Sequence, residues 1–226
     1  MALAEVRNLS KNYQVGPETV HALRDVSLVF APGSFTAVMG HSGSGKSTFL
    51  NIIGCLDRPT SGNYFLGDQD VAHLDDNALS DVRGRHIGFV FQSFNLIPQL
   101  SVQENIEVPL FYQGVPAHIR RQKAQAMAEL VGLGHRLRHK PNELSGGQQQ
   151  RVAIARSLVN DPLIILADEP TGNLDTATQR DIMSILQKLN EQGKTIILVT
   201  HETDVGACAR RKVVLKDGLI DSIQEQ

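Results

Sequence analysis

The sequence predicts an α/β fold: a largely parallel sheet core, an antiparallel β region at the N-terminus and an inserted α-helical segment. Three observations carry this. Apolar runs at 163–167 and 195–200 lack polar alternation, the pattern of strands covered on both faces in a parallel sheet. The β-type run at 34–39 passes through a glycine-rich loop straight into a helical pattern at 47–54. Residues from about 95 to 160 carry helix-start signals and helical periodicity.

In chain order, short β runs at 4–9, 22–30 and 34–39 are separated by the turn signals Gly16-Pro17 and Pro32-Gly33. The apolar run at 87–91 reads as a strand ending at Gln92. Ser101 and Glu104 have capping-box spacing and open a helix to about Tyr112. Pro116 starts another, with Ile119, Met127, Leu130 and Val131 as its apolar stripe. A third opens at Ser145 and runs to about Val159. A helix at 178–190 then follows, with Ile182, Ile185, Leu186 and Leu189 turned inward. Asp217-Gly218, between runs at 213–216 and 219–223, is a hairpin signal. The whole, 1–226, reads as one domain, with a core of 1–94 and 161–226 and a helical subdomain of 95–160.

At 226 residues and 41% hydrophobic, the chain is able to bury a substantial core. A net charge of -2 argues against the strongly basic footprint of a nucleic-acid binder, so no nucleic-acid partner is expected. Cys55 and Cys208 lie far apart with no metal spacing, which fits two small packed thiols in a reducing cytoplasm. Residues 1–13 hold no apolar stretch of signal-peptide length, and nothing approaches the roughly 18 apolar residues of a membrane span. The chain is expected in the cytoplasm, with any membrane role supplied through a partner.

The loop Gly40-His41-Ser42-Gly43-Ser44-Gly45-Lys46-Ser47, with Thr48 behind it, reads as a phosphate-binding P-loop. Glycines at 43 and 45 let backbone N–H groups approach an anion at the positive end of the following helix. Lys46 adds a point charge for the β- and γ-phosphates, and the Ser47 hydroxyl suits Mg²⁺. Asp168 and Glu169 close the 163–167 strand, at the sheet edge where such folds bind ligands. Asp168 is assigned to Mg²⁺, largely through water, and Glu169 to polarising the attacking water, a role typically contributing about 10² to 10⁴-fold. Taken alone, an acidic pair at a strand end is equally a solvated edge.

Between these motifs lies Leu144-Ser145-Gly146-Gly147-Gln148. Ser145 and Gln148 have the spacing of a capping box, so the local reading is a well-capped helix. Capping does not call for two glycines; a phosphate coming close to the helix start does.

With these three motifs in this order, the chain resembles the nucleotide-binding subunit of an ATP-binding cassette (ABC) transporter over nearly its whole length. It is most similar to the lipoprotein-release, macrolide-export and cell-division branch, through Asn51-Ile52-Ile53-Gly54-Cys55-Leu56-Asp57, Phe94-Asn95-Leu96-Ile97-Pro98 and Pro170-Thr171-Gly172-Asn173-Leu174-Asp175. The resemblance implies a P-loop NTPase sheet core with an N-terminal antiparallel β subdomain and an inserted α-helical subdomain. It implies two copies sandwiching two ATPs head to tail, with Ser145, Gly146, Gly147 and Gln148 of one copy facing the P-loop of the other. Tyr13 falls where an aromatic stacks on adenine, a contact worth roughly 1 to 3 kcal/mol per base in nucleic-acid binders. Gln92 matches the glutamine that reaches Mg²⁺ and joins the core to the helices. His201 matches the histidine on the γ-phosphate. Asp175 matches the loop crossing the dimer interface, although residues 172–175 read Gly-Asn-Leu-Asp where many relatives have Ser-Ala-Leu-Asp.

The implied activity is ATP hydrolysis that drives a separate membrane subunit with few spans and a large extracytoplasmic domain, docked near residues 92–100. The load would be a lipoprotein, an amphipathic drug or peptide, or a mechanical signal across the membrane, with the chain peripheral on the cytoplasmic face. The alternative, a soluble ABC ATPase acting on nucleic acid or ribosomes, usually brings a long coiled-coil insertion or two cassettes in one chain, and neither is present here.

Overall fold

A computed structural model describes residues 2–225, which divide into two compact units, one running to Arg83 and resuming at Asn190, the other Gly84–Leu189. In the first unit, β1 (Ala4–Val15) and β2 (Glu18–Phe30) form a long antiparallel hairpin closed at Val15↔Glu18. Both strands outrun their apolar cores, because the Gly16-Pro17 turn lets polar residues pair beyond them. β3 (Phe35–Met39) is almost wholly buried and leads into α1 (Lys46–Ile53), which buries Phe49, Leu50, Ile52 and Ile53. β4 (Ser61–Leu66) pairs antiparallel with β1, and the two-residue β5 (Gln69–Asp70) pairs with β4. Tyr64, buried in β4, donates its hydroxyl to the Ile53 carbonyl at 2.8 Å and so holds the end of α1. α2 (Asp76–His86) crosses the boundary between units and buries only Leu79 and Val82.

In the second unit, β6 (Ile87–Phe91) lies parallel to β7 (Ile164–Asp168), in register from Ile87↔Ile164 to Phe91↔Asp168. Gly88 is small because the Ser157 carbonyl occupies the place of a Cβ. α3 (Val102–Tyr112) opens with the expected capping box, Ser101 Oγ accepting from Glu104 N. α4 (Ala117–Leu130) corrects one expectation. Its buried face is Ala124 and Ala128, while Leu130 is 47% exposed and Val131 is buried only after the helix has ended. Two alanines bring a helix close to its neighbours, and the bulkier residues fall on its flank. α5 (Gly146–Leu158) follows, and after β7 comes α6 (Thr176–Glu191), which buries Ile182, Met183, Leu186 and Leu189 and leaves Ile185 half-buried.

The chain then returns to the first unit through β8 (Thr195–Val199), α7 (Thr203–Gly206), β9 (Arg211–Lys216) and β10 (Leu219–Glu225). β3 lies between β8 and β9, parallel to both, and β10 pairs antiparallel with β9. Asp217 (φ 50°) and Gly218 (φ 79°) form the expected two-residue turn, which needs positive φ at both positions.

Candidate functional site

The first unit gathers the P-loop and His201 at the carboxyl ends of neighbouring parallel strands. Gly45 caps α1 in the left-handed region (φ 101°), and a Cβ there would stand 2.6 Å from the Ala22 carbonyl. Gly40 likewise has no room for a side chain beside the Leu215 carbonyl and Ser44 Oγ. Gly43 (φ 80°) differs, with nothing within 4 Å of its Cβ position, so its backbone is the open part of the cradle. Lys46 Nζ donates to the Gly40 and His41 carbonyls at 2.7 and 2.9 Å, curling the loop around its own ammonium. The hairpin turn supports the loop from behind, Gly218 N donating to Ser44 O at 3.1 Å. His41, Ser42 and Ser47 are exposed, Thr48 is half-buried, and the buried Ser44 Oγ has no hydrogen-bond partner among the described residues.

His201 follows Thr200, whose N donates to Val38 O at 3.2 Å, and its side chain is exposed. Tyr13 lies near the end of β1. Its hydroxyl donates to Asp57 Oδ2 at 2.7 Å, and the Lys11 ammonium stands 4.8 Å from its ring centroid. Burial, with the Asp57 hydrogen bond, pushes the Tyr13 hydroxyl above its ordinary pKa. Asp57 has its own pKa lowered: burial opposes ionisation, but hydrogen bonds from Lys11, Tyr13 and Arg58 N together outweigh it. Both cysteines are free thiols, Cys55 buried in the left-handed turn after α1 and pushed up to about 11 chiefly by burial.

The second unit places Gln92 and Glu169 next to each other, since Phe91↔Asp168 are register partners at the ends of β6 and β7. Glu169 takes a left-handed φ of 45°, which turns the chain sharply, and Gly172 N donates to Glu169 O at 3.1 Å to hold the turn. Such a conformation costs a residue with a side chain of order 1–2 kcal/mol and recurs at functional sites. Gln92, Asp168 and Glu169 offer only oxygen ligands, the donor set of a hard cation such as Mg²⁺. No cluster of three His, Cys, Asp or Glu able to hold a metal exists among the described residues. A cation here would complete its shell with water and phosphate oxygens, as Mg²⁺ commonly does.

Ser145 caps α5 as expected, accepting from Gln148 N at 3.3 Å while Ser145 N donates to Gln148 Oε1 at 3.0 Å. The glycines after it have reasons the sequence did not reveal. A Cβ on Gly147 would overlap the Thr178 methyl, and one on Gly146 would lie 3.3 Å from Leu174 Cδ2. Packing inside the chain therefore already demands Gly147, whatever approaches the helix from outside. Asp175 caps α6, accepting from Thr178 N at 3.0 Å and from Thr178 Oγ1 at 2.7 Å, and these bonds, the backbone one first, hold its carboxyl below its ordinary pKa.

Four further residues shape this half. Gln150 Nε2 donates to Pro170 O at 2.7 Å, and Asn173 bonds Gln92. The Arg156 guanidinium donates to the carbonyls of Phe94 and Asn95, both at positive φ, and burial lowers its pKa. Asn105, fully buried, bonds Ile97, Leu100 and Ser101. Each contact joins residues far apart or in a loop, so no periodicity marks it. Beyond the loop, Ile97, Leu100, Glu104, Glu107, Phe111 and Arg120 line a groove of about 320 Å³.

Residues 23–172 match the model of the family described as ABC transporter. The chain belongs to the ABC transporter family. It is 52% identical over 225 residues to an uncharacterized ABC transporter ATP-binding protein of Thermotoga maritima, covering 98% of this chain and 95% of that one. It is 51% identical over 224 residues to the macrolide export ATP-binding/permease protein MacB of Syntrophobacter fumaroxidans, covering 98% of this chain but 31% of that longer protein. Among solved structures it resembles the ATP-binding cassette MJ0796, as a dimer in a post-hydrolysis state bound to ADP and Pi, with a TM-score of 0.89, 47% identity and 98% of each chain covered. The α/β P-loop NTPase-type fold expected of an ABC cassette is thus the fold of this chain.

Proposed function

We propose that this cassette binds MgATP, pairs head to tail with a second copy, hydrolyses the nucleotide and so drives a separate membrane subunit. The observation that carries this is the completeness of the residue set on a chain of this family: Lys46 and Ser47 after the open Gly43, Gln92 and Asp168–Glu169 at adjacent strand ends, and the exposed His201. P-loop N–H groups and Lys46 hold the β- and γ-phosphates, with His201 on the γ-phosphate and Tyr13 against the adenine. Ser47, Gln92 and, through water, Asp168 hold Mg²⁺, which neutralises phosphate charge when bound. Glu169 takes the proton of the attacking water as its oxygen bonds the γ-phosphorus and the bridging oxygen departs with ADP. Ser145, Gly146, Gly147 and Gln148 present the positive start of α5 to the partner copy's nucleotide, and Asp175 stands at the interface between copies. The dimeric MJ0796 cassette with ADP and Pi supports the sandwich.

The helical portion, residues 95–160, is proposed to dock the membrane subunit. The groove beside Ile97 and Leu100 supports this, with Phe111 61% and Tyr112 83% exposed at its rim. No described helix is long and apolar enough to cross a membrane. In MacB the ATP-binding and permease functions share one named protein, which supports a permease as the partner of this shorter chain. The proposed subunit has few spans and a large extracytoplasmic domain, its load is a lipoprotein or an amphipathic drug or peptide, and the cassette sits on the cytoplasmic membrane face. The test is phosphate release by the purified protein, alone and with membranes of its host. Release abolished by Glu169→Gln is expected, together with recovery of a few-span membrane protein on the MgATP-loaded variant. Undiminished release by Glu169→Gln would overturn the assignment of the base, and recovery of a many-span permease would overturn the partner.

A further inference from the structure

The Asn173 side chain, in the turn after β7, makes two bonds to Gln92 that an alanine would have no atoms to make. Asn173 Nδ2 donates to the backbone carbonyl of Gln92 at 3.1 Å, and Asn173 Oδ1 accepts from Gln92 Nε2 at 3.3 Å. These bonds form a chain of orientation. A backbone carbonyl only accepts, so it fixes which end of the Asn173 amide faces it; the other end, an oxygen, then requires a donor and fixes the Gln92 amide in turn. Turning over the Gln92 amide alone would set two acceptors against each other. Turning over both would set Asn173 Oδ1 against the Gln92 carbonyl. The end of Gln92 left to meet a ligand is therefore Oε1, the only atom of a neutral amide that binds a cation. Gly172 completes the fit, because a Cβ there would lie 2.7 Å from Gln92 Nε2 and 3.1 Å from Cδ.

We propose that Asn173 is a positioning residue that presents the Gln92 amide oxygen to the divalent cation and thereby sets the cation affinity of the cassette. This rests on the proposed role of Gln92 toward Mg²⁺. Hydrogen-bond partners of metal ligands are typically worth about 10- to 100-fold in metal affinity. The site is exposed, so the lower end is expected, ~10-fold.

The experiment titrates Mn²⁺, in place of Mg²⁺, into the full chain saturated with a non-hydrolysable ATP analogue, reading free Mn²⁺ by electron paramagnetic resonance so that no turnover is needed. Asn173→Ala is expected to weaken Mn²⁺ binding ~10-fold, Gln92→Ala at least as much, and the double variant no more than Gln92→Ala alone, since Asn173 acts through Gln92. Gly172→Ala, which pushes the amide aside without removing it, is expected to weaken Mn²⁺ in the same way. Unchanged Mn²⁺ affinity in Asn173→Ala, or equal losses with and without Gln92, would overturn the proposal. An unchanged affinity in Gln92→Ala with the analogue still bound would remove the role of Gln92, and this proposal with it, while leaving nucleotide binding intact. Failure of the unaltered chain to bind the analogue would overturn both readings together.

Discussion

The Thr178 methyl, on the first turn of α6, occupies the space that a side chain on Gly147 would need at the start of α5. Gly147, two residues after the capping Ser145, is thus held by packing inside the chain, in addition to any phosphate that approaches it. The two reasons are separable. Gly147→Ala is expected to destabilise the protein by about 1–3 kcal/mol, the usual range for overpacking. Thr178→Ser keeps the hydroxyl that Asp175 accepts and removes only the methyl. Combined with Gly147→Ala it should restore most of the lost stability in urea denaturation. If ATP-dependent dimerisation, measured by light scattering, stays lost in the restored double variant, the glycine also serves an approaching phosphate; if it returns, packing was its whole role.

Tyr64→Phe isolates one bond that positions the P-loop helix. The Ile53 carbonyl belongs to the last turn of α1, where carbonyls lack intrahelical partners, and Tyr64 Oη satisfies it at 2.8 Å in a fully buried place. Removing the hydroxyl leaves the ring packed and the carbonyl unpaired, at an expected cost of about 1–3 kcal/mol. The denaturation midpoint should fall with the slope unchanged; an unmoved midpoint would mean that the Ile53 carbonyl finds another partner.

The parts of this fold that were legible in the sequence are those set by short-range rules. The run from 34 to 39 into the glycine loop, the capping boxes at Ser101 and Ser145, and the Asp217-Gly218 turn all lie where local chemistry puts them. The stretch holding β4, β5 and α2 carried no comparable signal. Ser-Gly-Asn-Tyr-Phe-Leu lacks the β-branched alternation that marks a strand, and α2 buries only two residues. In α4 the apolar stripe pointed to Leu130, yet the buried face is Ala124 and Ala128: small apolar residues, which a pattern read from bulky side chains passes over. The P-loop and the Asp168–Glu169 pair were readable as motifs, whereas Gln92 read alone is an ordinary polar residue at a strand end and was marked only by the family resemblance. Asn173 on Gln92, 81 positions away, and the Gly218 turn behind Ser44 are products of the tertiary fold, which no spacing rule encodes.

Acid should act on the Tyr13 region through Asp57. Its carboxyl is held below its ordinary pKa by the Lys11, Tyr13 and Arg58 hydrogen bonds, against the opposing effect of burial. A depressed carboxyl contributes stability that is present above its unfolded value, near about 4, and lost as pH falls through its lower folded value. Asp57→Asn is therefore expected to be less stable than the parent at pH 7, by about 1 kcal/mol or less after solvent screening of this partly exposed pair. The difference should close as pH drops below about 4. A gap that persists unchanged into acid would show that the charge of Asp57 is not what the region uses.

Asn105 offers the sharpest test of the loop between Gln92 and the proposed docking groove. Fully buried on α3, it accepts from Ile97 N at 2.8 Å and donates to the carbonyls of Ile97, Leu100 and Ser101 at 3.1, 3.0 and 3.0 Å. One amide thereby replaces secondary structure for a whole turn of chain, while Arg156 holds Phe94 and Asn95 upstream. Asn105→Ala removes the side-chain partner of Ile97 N and Leu100 O, while Ile97 O and Ser101 O keep their bonds from Leu100 N and Asn105 N, and is expected to cost about 1–3 kcal/mol, with faster amide exchange at Ile97 than in the parent. Asn105→Asp should be worse at neutral pH, since a buried carboxylate facing three carbonyls is an unpaired charge among acceptors. Acidification should then narrow the gap, because the protonated acid regains one donor. If Asn105→Asp is instead as stable as the parent at pH 7, the carbonyls are not relying on Asn105, and the loop owes its shape to Arg156 and its own backbone.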